Sequence, residues 1–169
     1  MKRIYLDYAS LTPIDKRVMR EMKKFSTEAY TNPSALYASA VASKKAVLDA
    51  KKRISAVLNI HPDEIIFTSG GTESNKLVLD SFAGKKIIIS NVEHSSIINR
   101  GEVVRVDENG IVDIEDLKKK VTPDTALVSI MYVNNETGSI QPISEIVKCV
   151  KKINKNILVH TDESQAALL

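Results

Sequence analysis

Ile65-Ile66-Phe67-Thr68-Ser69-Gly70-Gly71-Thr72-Glu73-Ser74-Asn75 reads as a short strand that passes through two glycines straight into a helix. Its apolar, β-branched start does not alternate with polar residues, the pattern of a strand buried on both faces. The same kind of run recurs at Ile87-Ile88-Ile89, Val103-Val104, Leu127 to Val133 and Ile157 to Val159. Helical stretches fall between these runs, at about Glu73 to Phe82, Ile114 to Lys120 and Ile143 to Ile153. Strand and helix in alternation predict an α/β fold: a mostly parallel sheet with helices on both faces and right-handed crossovers. Upstream, Ile4 to Leu6 is a short extended piece, and Thr12-Pro13 opens a helix from about Ile14 to Glu28, because proline suits a first turn. A longer helix runs from about Ala38 to Leu58, where Ala40, Val47, Ala50, Ile54 and Val57 recur near the helical period, until His61-Pro62-Asp63 breaks it. With no internal repeat, low-complexity segment or Pro/Gly/Ser linker, the chain reads as one domain or one contiguous part of a domain.

Composition narrows the function classes. With 169 residues, 43% hydrophobic, the chain is long enough to bury roughly two thirds of its unfolded surface. Lys and Arg number 24 against 21 Asp and Glu, and the Lys-rich runs at Lys23-Lys24, Lys118 to Lys120 and Lys151-Lys152 lie on polar helix faces. No basic patch is interleaved with aromatics, so the charge reads as solvation and not as nucleic-acid binding. The single cysteine excludes a disulfide framework. MKRIYLDYAS turns polar too soon for a signal peptide, and no apolar run approaches a membrane span. A reducing cytoplasm is the expected compartment.

Four places carry candidate chemistry. In the glycine turn, Gly71 and Thr72 open a helix whose N–H groups and dipole favour an anion; the alternative is a plain turn with a Thr N-cap and Glu73 offsetting the dipole. The spacing fits neither a nucleotide P-loop nor a dinucleotide-binding turn. His94 follows the 87–90 strand, where open α/β sheets bind ligands, and is either a ring-stacking proton carrier or a loop residue with satisfied hydrogen bonds. Asn135, in Asn134-Asn135-Glu136-Thr137-Gly138, is either a ligand-binding amide or turn chemistry. Asp162 ends an apolar strand in VHTDESQ, and a carboxylate there needs a cationic or donor partner to offset its desolvation. A pyridinium nitrogen is such a partner, with Gln165 three residues on. His61 and His160 fit structural roles, in a turn and a strand.

Taken in order, IYLDYA..TP at Ile4 to Pro13, NPSA at Asn32 to Ala35, FTSGGTESN at Phe67 to Asn75, VEHSSI at Val92 to Ile97, VSIMYVNNETG at Val128 to Gly138 and VHTDESQ at Val159 to Gln165 span almost the whole chain. They resemble the N-terminal part of the cysteine desulfurases, pyridoxal 5′-phosphate (PLP) enzymes of fold type I that feed sulfur to iron–sulfur cluster assembly. The NNETG and GTESN forms are closer to the nitrogen-fixation and general iron–sulfur branch than to the sulfur-mobilisation or selenocysteine-lyase branch. The resemblance implies that Gly71 and Thr72 hold the cofactor phosphate and that His94 stacks on the ring and assists proton transfer. It also implies that Asn135 contacts the ring oxygen and substrate, Asp162 keeps the ring nitrogen protonated, and Gln165 reaches the 3-oxygen. It implies no metal.

The departures are Leu11 for a threonine, Tyr37 for a histidine, Ala40 for a glycine and Lys76 for an asparagine. The resemblance implies that the family's Schiff-base lysine, mobile-loop cysteine and substrate-clamping arginine belong to the part of the family beyond the stretch matched here. Residues 1–169 are thus expected to form an N-terminal segment and part of the large PLP-binding domain, inactive alone. Cys149, inside a helix, reads as packing, and Lys76 lies one turn into the cradle helix, too far to replace the missing lysine. The completed enzyme is expected to act on L-cysteine as a homodimer, with an iron–sulfur scaffold as acceptor. The alternatives are a selenocysteine lyase or other class V aminotransferase, and a non-catalytic truncated or split-gene binding module.

Overall fold

The structure, a computed structural model, describes residues 4–166. The chain divides into two compact units, Met1–Phe67 and Thr68–Leu169.

The first unit is helical. Helix α1 spans Lys16–Thr27 and α2 spans Ala38–Leu58. The start of α1 falls later than Thr12-Pro13 suggests, because the Asp15 carboxylate accepts the Arg17 N–H at 2.7 Å and so caps the helix there. Helix α2 ends at Asn59, whose φ of 54° lets the backbone N–H reach back to Ser55 O. A 3-10 turn follows at Pro62–Glu64, closed by the Glu64 carboxylate on the His61 N–H, so His61 is a capping residue. The periodic apolar residues of α2 are not its core: only Ala40, Ser43 and Ser55 are buried in it. Ile65 to Thr68 departs further from expectation. It runs extended but pairs with no strand among the described residues, leaving Ile66 and Phe67 exposed.

The second unit is the α/β layer. Strands β1 (Lys86–Ser90), β2 (Glu102–Val104), β3 (Thr125–Ser129) and β4 (Leu158–His160) form one sheet in the order β2-β1-β3-β4, every pair parallel. Helices α3 (Gly71–Asp80), α4 (Ile114–Lys120) and α5 (Ile143–Ile153) cover it. Successive strand side chains point to opposite faces, and here both faces are dry. Ile88 and Val128 pack with Leu117 of α4 and Ile146 and Val150 of α5, whereas Ile87, Ile89 and Leu127 pack with Leu79 of α3. Burial on both sides is what makes these strands uninterrupted apolar runs. Cys149 belongs to the first of these clusters, as expected of a packing residue.

Helix α4 holds its short length through complementary ends. Asp113 accepts the Glu115 and Asp116 N–H groups, and Lys118, Lys119 and Lys120 sit at the negative end of the helix. The expected strand at 127–133 ends early for a physical reason. Beyond Ser129, the Ile130 and Tyr132 N–H groups turn to His160 O and Asp162 O, and Val133 bridges antiparallel to Ile140. Strand β1 connects to β2 on one side, and the chain then crosses to β3 on the other. That makes the carboxyl ends of β1 and β3 the switch point where such sheets bind ligands.

Candidate active site

At the switch point the chain leaves β1 through Ser90 and turns at Glu93-His94. Glu93 is 6% exposed, yet its carboxylate is well held: Ser90 Oγ donates to Oε1 at 2.5 Å, and the Met131 N–H donates to both oxygens at 3.0 and 3.1 Å. Burial nevertheless pushes its carboxyl up to about 7, against the pull of these donors and with help from the Asp162 charge. This carboxylate staples the His94 loop to the end of β3. The half-buried His94 ring has Nδ1 2.8 Å from Ser96 Oγ and 3.2 Å from the Ser96 N–H.

Asp162 follows β4 and is half-buried. Burial alone would raise its carboxyl, but hydrogen bonds from Ser164 and Asn75 outweigh that and hold it below the usual carboxylate range. Asn75 Nδ2 lies 2.7 Å from Oδ2, and the Ser164 N–H lies 2.9 Å from Oδ1. The same Asn75 nitrogen is 3.0 Å from Ser96 Oγ. Asp162 and His94, far apart in sequence, are thereby joined through two intervening side chains. His160, in β4, contacts Ser129 Oγ at 2.9 Å, and its burial lowers the pKa of its ring.

The start of α3 differs in detail from expectation. Its N-cap is Gly70, not Thr72, and no side chain caps it. The Glu73 carboxylate is occupied instead by the Ser69 N–H at 2.6 Å and Ser69 Oγ at 2.7 Å, which hold it low. Among the described residues no side chain caps the first turn of α3, and Gly71 and Thr72 are both exposed there. A Cβ on Gly71 would sit 2.8 Å from Ser164 Oγ, so the loop carrying Asp162 lies directly against this helix end.

Asn135 is less constrained. The turn after β3 is built by the neighbouring Asn134, buried, whose Nδ2 donates to Val92 O at 2.9 Å and whose Oδ1 accepts the Glu136 and Thr137 N–H groups. Gly138, at φ 74°, completes it in a conformation that glycine tolerates. Among the described residues the half-buried Asn135 side chain makes no hydrogen bond. Gln165 lies exposed in the turn after Asp162. Sequence reasoning passed over Glu93, Asn75, Ser96 and Asn134. A signal existed for two of them: Glu93 follows a buried strand as Asp162 does, and Asn75 shares the inward i, i+4 face of α3 with Leu79.

These groups suit PLP in kind. An ionised carboxylate fits a ring nitrogen cation, an imidazole fits a flat ring, and a helix start that no side chain caps fits a phosphate.

The parallel sheet with helices on both faces, opening at its carboxyl ends onto this site, is that of the large domain of fold-type-I PLP enzymes. The chain belongs to the class V aminotransferase family, whose model matches residues 4–168. It is 40% identical to a cysteine desulfurase IscS of Clostridium botulinum, over 98% of this chain and 45% of that protein, and 41% identical to the IscS of Dictyoglomus turgidum, over 98% and 46%. A solved NifS-like protein superimposes with a TM-score of 0.90 at 37% identity, covering 95% of this chain and 49% of that one. A structure described as SspA in complex with cysteine superimposes at 0.85 and 30% identity, covering 96% and 51%. The chain thus spans about half the length of the relatives it matches. Among the described residues, no helix is long and apolar enough to cross a membrane.

Proposed function

We propose that these residues form the first part of the large domain of a PLP-dependent cysteine desulfurase. Completed by the remaining half of the family's length, it removes sulfur from L-cysteine to give alanine and an enzyme persulfide for iron–sulfur cluster assembly. The observation that carries this reading is Asp162, a carboxylate kept ionised after β4 by Asn75 and Ser164, with Ser164 packed against the uncapped start of α3. When bound, PLP supplies an electron sink at the substrate α-carbon.

Asp162 would hold the proton on the ring nitrogen. The N–H groups of Gly71 and Thr72 would bind the phosphate, with the α3 dipole adding to them. His94 would lie on the ring and carry protons, and Asn135 and Gln165 would bind the ring oxygen. The nucleophiles of the reaction, a lysine and a cysteine, would come from the remaining half. The desulfurase names of the relatives support the reaction, and homodimerisation and transfer to an iron–sulfur scaffold belong to the same reading.

The test is a PLP titration of the chain and of Asp162→Ala. Weak noncovalent binding is expected, about tenfold or more weaker in the variant, since a hydrogen bond to a charged group contributes roughly 1.5–3 kcal/mol. Unchanged affinity overturns the assignment. The chain alone is expected to release no alanine or sulfide from L-cysteine above a PLP-only control.

A further inference from the structure

We infer that Asn75 is a positioning residue: its one amide group donates to Asp162 Oδ2 and to Ser96 Oγ, and so orients the Asp162 carboxylate and sets the His94 tautomer together. The inference deepens the PLP reading and rests on it for its functional meaning.

The direction of each hydrogen bond follows from what each group is able to donate. The Asp162 carboxylate is ionised and only accepts, so the Asn75 nitrogen, not its oxygen, faces it at 2.7 Å. The same nitrogen carries a second hydrogen and lies 3.0 Å from Ser96 Oγ, which is therefore the acceptor there. Ser96 has its own hydroxyl hydrogen left to give, and His94 Nδ1 is 2.8 Å away. The Ser96 backbone N–H, which only donates, also points at Nδ1 from 3.2 Å. Two donors converge on Nδ1, so the ring proton of the neutral imidazole sits on Nε2. Donation thus runs one way, from Asn75 through Ser96 to His94, and Nε2 is left as an N–H on the ring edge that Ser96 does not hold.

Asn75 is suited to this as few residues are. It is 2% exposed, on the inward face of α3 four residues after Gly71, so it cannot swing to water, and its two hydrogens leave one amide plane in two directions. Aspartate would bring a second acceptor against Asp162, and leucine would fill the space while donating nothing.

The test is 15N and 13C NMR of the chain without cofactor, with the His94 signals assigned against His61 and His160 by a His94→Gln variant. In the native chain His94 is expected to show a pyridine-type Nδ1 and a pyrrole-type Nε2 with no tautomer averaging. Ser96→Ala removes the hydroxyl and keeps the backbone N–H on Nδ1, so it is expected to raise the share of the Nδ1–H tautomer at His94 only partly and to leave the Asp162 titration where it was. Asn75→Leu is expected to move both: a larger share of the Nδ1–H tautomer at His94, because the Ser96 hydroxyl is no longer held as a donor to Nδ1, and an upward shift of the Asp162 carboxyl. The other titratable groups facing Asp162, His160 and Glu93, are untouched in either variant. If Asn75→Leu retains the native amide-exchange protection and moves neither signal, the inference is overturned. If Asn75→Leu does not fold, Asn75→Ala decides: native signals for both His94 and Asp162 in that variant overturn the inference. PLP affinity separates this from the broader reading. About tenfold weaker binding in Asn75→Leu supports both. Altered NMR signals with PLP affinity indifferent to Asp162 would leave the positioning intact and remove the PLP reading.

Discussion

The Met131 backbone N–H donates to both carboxylate oxygens of Glu93, at 3.0 and 3.1 Å, across the junction where β1 and β3 end. With Ser90 Oγ on Oε1, this buried carboxylate ties the loop bearing His94 to the strand that leads into the Asn134 turn. A carboxyl group serves as a staple here because its neighbours are backbone and hydroxyl donors. It remains costly to ionise so far from water.

The pH dependence of stability should report that cost. Burial raises the Glu93 carboxyl to about 7 in the folded chain, above its ordinary value of 4.5. A raised folded pKa means that the favourable contribution is complete below pH 4.5 and is lost as pH rises through 7. Stability in urea should therefore fall from pH 5 to pH 8 by an amount on the order of 3 kcal/mol from this group. Glu93→Gln should flatten that decline. Parallel profiles for the two proteins would contradict the assignment.

Gly71→Ala tests the contact between the helix start and the Asp162 loop. The added Cβ meets Ser164 Oγ at 2.8 Å, so the serine must rotate away. PLP or phosphate affinity should fall, and Ser164→Gly in the same chain should recover part of it. A double-mutant cycle measures the coupling, expected at about 0.5–3 kcal/mol for residues in contact; additive effects would mean that the two do not meet.

Ile88 lies on the sheet face covered by α4 and α5 and is fully buried. Ile88→Ala should destabilise by about 2–5 kcal/mol, the cost of lost burial plus a cavity. Denaturant unfolding of the two proteins checks this, and a loss below about 1 kcal/mol would indicate a site able to collapse around the smaller side chain.

Cys149 should be slow to react with a disulfide reagent in the folded chain. Its thiol is pushed up by burial, with Lys118 pulling only partly the other way, and the thiolate is the reactive form. Reaction at pH 8 should become fast once denaturant unfolds the chain, and rapid labelling of the native chain would place Cys149 at the surface.

Much of the α/β layer was legible because its signals are local. The helices at 38–58, 114–120 and 143–153 end where periodicity and capping place them. The runs at Ile87 and Leu127 become strands because β-branched residues with two dry faces have little alternative. Gly71, Asp162 and His94 could be singled out since glycines before a helix and polar groups after a buried strand are visible in one dimension.

Where partners lie far apart in sequence, the tertiary structure decided. Ile65 to Thr68 has strand composition but no ladder among the described residues, because a strand exists only by pairing. The Asn75 link to Asp162 spans 87 positions, and the Met131 link to Glu93 spans 38. Hydrogen bonds of that separation depend on how the sheet brings α3 and the ends of β1, β3 and β4 together. Residue chemistry names the groups able to act, and only the packed chain determines which donor each acceptor receives.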